Sequence, residues 1–124
     1  MTTITRADAI IAIRAARDEL QARAVRMQGA KALLTSRSCT QIAAELGTLR
    51  YAISSAFPDD SDETIVARAF AEMLARVRRD AAAFREIHAD ADAHQEDSTA
   101  RELVKLAGAL GVAVATEAAN GGGK

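Results

Sequence analysis

The chain has 124 residues, a formal net charge of −1, one cysteine and four aromatic residues, none of them Trp. That length fits one domain, the near-neutral balance excludes a strongly basic nucleic-acid binder, and a lone Cys39 excludes an internal disulfide and fits a reducing, cytoplasmic setting. The 30 alanines favour helix but bury little area, so the core is expected to come from close helix–helix approach, with a partner subunit completing it as a homo-dimer or higher oligomer.

Charge is unevenly spread. Residues 1–57 carry eight Lys/Arg against four Asp/Glu, and residues 58–124 carry eight against thirteen. The first half is therefore basic and the second acidic. The N-terminal MTTITRAD lacks the basic and long apolar runs of a secretory signal, and Leu106–Thr116 is too short an uncharged run to span a bilayer.

A first long helix is expected over about 5–35. Thr5-x-x-Asp8 resembles a capping box, and Ile10, Ile13, Leu20, Ala24, Met27 and Leu34 recur at helical spacing. A break follows at 35–38. Ser38-x-x-Gln41 then reads as the cap of a short helix over Cys39–Leu46. Gly47 reads as its stop, in the left-handed position that glycine favours. A third short helix is expected from Thr48 to Phe57, ended by the only proline, Pro58.

A second long helix is expected over about 62–88, with Asp60-x-x-Glu63 as its cap. Its stripe is Val66, Phe70, Met73, Val77, Ala81 and Phe84. The decapeptide His88–Asp97 is polar and without periodicity, and reads as a connection. A fifth helix follows from Thr99-x-x-Glu102, with Leu103, Leu106, Leu110 and Val114 as its core side. The expected architecture is all-α: a single helical domain over 1–119, with a helix-turn-helix-like pair (39–57) between two long helices, and a flexible Gly-rich tail over 120–124.

Ser38–Pro58 is the stretch whose spacing points to a task. A helix-turn-helix needs a small residue where its helices cross, and Ala43 supplies one; it needs a turn glycine four residues on, and Gly47 supplies that. Ile42, Leu46, Ile53 and Ala56 would anchor the pair. Arg50, Tyr51, Ser54 and Ser55 would then face base edges, with Arg37, Ser38, Thr40 and Thr48 at phosphates.

The segment Ile42–Pro58, IAAELGTLRYAISSAFP, resembles the DNA-reading segment of tetracycline-repressor-type regulators. The Ile42-Ala43 pair, Gly47, Arg50, Ile53 and the closing Phe57-Pro58 carry the resemblance. It implies a transcription regulator that binds double-stranded DNA in the major groove as a dimer. Ser54 stands where that family has a tyrosine, and Asp59-Asp60 where a phosphate-contacting lysine follows. Too few residues follow Pro58 for that family's usual ligand-binding domain.

Two other clusters are weaker. His88, Asp90, Asp92, His94, Glu96 and Asp97 are metal-capable side chains, but no turn chemistry fixes them in one geometry, so a solvated linker is expected and no metal or other cofactor. Cys39 beside Arg37 has the neighbours of an activated thiol, yet a lone cysteine is more often a small core residue. No Ser/His/Asp order, phosphate loop or carboxylate pair stands out, so no enzyme is expected. The alternative to a DNA-binding regulator is a non-catalytic interaction or assembly protein: a complex subunit, an inhibitor, or a phage or plasmid accessory protein. Heavy Ala and Arg usage points to a high-GC bacterial or phage source.

Overall fold

The computed structural model describes residues 4–58 and 60–112. The expected tail over 120–124, Val114 of the last stripe and Asp59 lie outside the described residues. Among the described residues four helices follow one another: α1 (Arg6–Gly29), α2 (Leu33–Ser55), α3 (Asp62–Glu86) and α4 (Asp90–Leu110). The all-α bundle class holds, with four helices where five were expected. The closest packing is within two antiparallel hairpins, α1 with α2 and α3 with α4, which then pack on each other. Among the described residues no helix is long and apolar enough to cross a membrane.

The largest correction concerns residues 39–57. The two short helices and the turn between them are one unbroken helix, α2, which runs through Gly47. Gly47 does not have the positive φ that a turn glycine would need. The stripe Cys39, Ile42, Ala43, Leu46, Leu49 and Ile53 is buried without interruption. Burial of that continuous face outweighs the cost of about 1 kcal/mol for one glycine inside a helix. Ser38 lies inside this helix and caps nothing.

The end of α1 is also corrected. α1 stops at Gly29 rather than near 35, and the residue that turns left-handed is Lys31, at φ 66°. The Ala32 N–H then donates to the Met27 carbonyl at 2.7 Å. α3 closes in the same way through His88, at φ 61°, with the Ala89 N–H donating to the Phe84 carbonyl at 2.8 Å. α4 repeats the pattern with Gly111, at φ 72°. Each closure satisfies carbonyls that the last turn leaves open.

At the N-termini, the Thr5 hydroxyl accepts from the Asp8 N–H at 3.0 Å, as its spacing predicts. The α3 cap is Ser61, which accepts from the Thr64 N–H at 3.2 Å, in place of Asp60. The polar decapeptide 88–97 is not a connection: its last eight residues open α4. Asp90 and Asp92 in the first turn favour that start through the helix dipole. Ala93 and Thr99 are buried there, and the Thr99 hydroxyl donates to the Gln95 carbonyl at 3.1 Å. A short face built from alanine and threonine carries no hydropathy signal.

The core is shared by all four helices. Its fully buried large side chains are Ile13 of α1, Leu46, Leu49 and Ile53 of α2, Val66, Phe70 and Val77 of α3, and Leu103 of α4. Alanines 9, 24, 43, 100 and 107 fill the space between them and let the helices approach closely.

Candidate functional site

The sequence nominated eight residues on one stretch, and the continuity of α2 decides where they point. Arg37, Thr40, Thr48, Tyr51 and Ser55 recur at helical spacing on the solvent side of α2. They decorate the flank of a straight helix rather than a helix set across a turn. Ser38 is half-buried toward α4, where its carbonyl accepts from the Gln95 side-chain amide at 3.4 Å. Arg50 is also half-buried, and its Nε is enclosed without a hydrogen-bond partner.

Three hydroxyls along α2 turn back onto its own backbone. Thr40 Oγ1 donates to the Ser36 carbonyl at 3.0 Å, Thr48 Oγ1 to the Ala44 carbonyl at 3.3 Å, and Ser54 Oγ to the Tyr51 carbonyl at 3.2 Å. Mid-helix Ser and Thr commonly satisfy themselves so. Arg37 is the one exposed cation of the eight. Beyond the end of α2, Asp60 pairs with Arg68 at 3.0 Å.

Cys39 faces the core, not an electropositive surface. Of the acidic and histidine residues over 86–97, Asp97 pairs with Arg85, and His88 and His94 are exposed. Among the described residues no group of three or more His, Cys, Asp and Glu is arranged to hold a metal ion.

A polar crevice of about 360 Å³ lies between α2, α3 and α4, lined by Glu45, Phe84, Asp92, Gln95 and Glu96. Arg76 of α3 stands beside it, pairing with Glu45 at 2.7 Å and with Asp80 at 3.6 Å. The Glu96 carboxyl is held above the ordinary carboxylate range, first by burial and then by Asp80, Glu45 and Asp92, with Arg76 opposing.

The feature that sequence reading missed is apolar exposure beyond Tyr51. Ile11, Val25, Leu33, Leu34, Phe57 and Ile87 also stand largely in solvent, from 59% for Leu33 to 82% for Phe57. Leu34 had been assigned to the core side of the first helix; it begins α2 instead and is 80% exposed. Ile11 and Val25 fall outside the single stripe that an amphipathic helix needs, which is the signal that would have marked them.

Neither a scan against family models nor searches of curated proteins and of solved structures finds a match to the chain.

Proposed function

We propose that the chain is a non-catalytic helical interaction protein that works through exposed helix faces. The observation that carries this reading is the set of large apolar side chains left in water, with Leu34 at 80% and Phe57 at 82% exposure. They stand near the helix ends (Val25, Leu33, Leu34 and Ile87 by the α1–α2 and α3–α4 turns, Phe57 just past α2) and along α1 and α2 (Ile11 and Tyr51). Exposed apolar side chains that adjoin one another, as Leu33 and Leu34 do at the start of α2, support contact with another macromolecule. The buried thiol of Cys39, with no disulfide partner in the sequence, goes with a cytoplasmic setting.

A second reading is the DNA-binding regulator, favoured by the shared solvent face of Arg37, Thr40, Thr48, Tyr51 and Ser55. In that reading α2 would enter a groove as an intact helix, with Arg37 as its phosphate or base contact. The interaction reading is preferred because that face carries one exposed cation, and phosphate neutralisation is the main source of DNA affinity.

The test titrates the full chain against labelled genomic duplexes at two salt concentrations. The interaction reading predicts no salt-sensitive binding even near ~50 mM salt. Binding that weakens steeply with salt, and is lost in Arg37→Ala, would overturn it in favour of the regulator.

A further inference from the structure

We propose that a second copy of this chain docks antiparallel on the outer face of α1, a deepening that rests on the interaction reading. α1 buries Ala9, Ile13, Leu20 and Ala24 against the bundle. Its opposite side is also largely apolar: Ala7, Ile11, Ala15, Ala22 and Val25 are all exposed, with Asp18 among them, and they recur every three or four residues. Ile11 is 65% and Val25 69% exposed. A helix that is apolar on two sides has one side without its cover.

The arrangement on that face is self-complementary. Ile11 and Val25 lie equally far on either side of Asp18. Ala15 and Ala22 lie just inside them, and such small residues allow helix axes to approach to about 8 Å. Asp8 and Arg26 are both exposed and 18 residues apart, about five helical turns, so they share one flank of the face. Arg14 and Gln21 share the other flank. The midpoints of these pairs fall at or beside Arg17 and Asp18, which form an ion pair at 3.5 Å.

A dyad at Arg17–Asp18 therefore sets Ile11 against Val25 of the second copy, Asp8 against its Arg26, and Arg14 against its Gln21. The dyad also sets Asp18 beside Asp18 of the second copy, each already paired with the Arg17 of its own chain. A parallel copy exchanges the flanks, so that Asp8 faces the other flank of the second copy and not its Arg26. The unlike pairs therefore favour the antiparallel docking. A partner of different sequence requires no such symmetry of the face.

The test is sedimentation equilibrium of the full chain, with circular dichroism to show that each variant keeps its helices. The wild type is expected to dimerise below about 100 μM. Ile11→Glu, at a solvent-exposed position, should weaken the dimer at least about tenfold. Asp8→Arg and Arg26→Asp should each weaken it by roughly tenfold, since two like-charge pairs replace two unlike ones, and the double variant D8R/R26D should recover most of the loss. A monomer up to about 500 μM would overturn the docking while leaving the interaction reading to other partners. A dimer indifferent to I11E and to both charge changes would overturn it as well, by assigning the contact to another face. Salt-sensitive DNA binding, by contrast, would remove the interaction reading without moving the dimer constant.

Discussion

Arg6, the first residue of α1, ties three helices together. Its guanidinium NH1 donates to the carbonyls of Ile53 at 2.9 Å and Ala56 at 2.8 Å, which the end of α2 leaves without helical partners. Its backbone N–H donates to Asp62 Oδ2 at 3.0 Å, and its Nε lies 3.6 Å from the same carboxylate, at the start of α3. One planar fork thus closes the end of α2 and fixes where α3 begins. Replacing Arg6 with Ala strands those carbonyls in a half-buried place and should cost about 2 kcal/mol in a urea melt. Arg6→Lys should recover only part of that, because a single ammonium does not span two carbonyls and a carboxylate. A loss below ~0.3 kcal/mol for R6A would show the contacts to be surface ion pairing of little weight. Nothing in the sequence marked this residue, since its partners lie 47 to 56 positions away.

At the scale of elements, helices with a hydropathy stripe were legible, and only some of their ends were. Val66, Phe70, Met73, Val77, Ala81 and Phe84 predicted α3, and all but the half-buried Phe84 are buried. Thr5 predicted the start of α1, because a cap acts within one turn of chain. The end of α1 was misread because its left-handed residue is Lys31, which no turn chemistry marks, while α3 ends close to the expected place, with His88 left-handed just past it. There the closing hydrogen bonds and the docking of the next helix offset a backbone cost of about 1–2 kcal/mol. The start of α4 was missed because its buried face is Ala93, Thr99 and Ala100, which no hydropathy period reveals. This same stretch yields a pH prediction. Glu96, on α4, faces Glu45 from α2 and Asp80 and Arg76 from α3, with Asp92 on its own helix, and its carboxyl titrates above the ordinary range. The folded chain therefore binds that proton more tightly than the unfolded chain does. Stability is favoured below the ordinary carboxylate pKa and falls as pH rises through the raised one. Glu96→Gln should melt at a higher temperature than the wild type at pH 7, and the gain should shrink as pH is lowered into the carboxylate range. A gain that is the same at both pH values would rule out the titration of Glu96 as its source.

For the molecule as a whole, two hairpins of opposite charge join through a mixed core. The basic first half forms α1–α2 and the acidic second half forms α3–α4, with Arg6–Asp62 and Arg76–Glu45 bridging them. The fold class was legible because alanine content and helical spacing both act locally. The site was less so, because its reading turned on one glycine. Gly47 fits a turn motif by spacing, but a turn there would split the face from Cys39 to Ile53 and remove part of the core. The unbroken α2 is the central claim, and Gly47→Ala tests it most directly. A Cβ placed on Gly47 meets nothing within 4 Å, so the substitution adds helix propensity without a clash. Chemical denaturation of G47A should show a gain of about 0.5–1 kcal/mol over the wild type. A loss of about 1 kcal/mol or more, as expected for alanine forced into a left-handed turn, would contradict a continuous α2 and restore the helix-turn-helix.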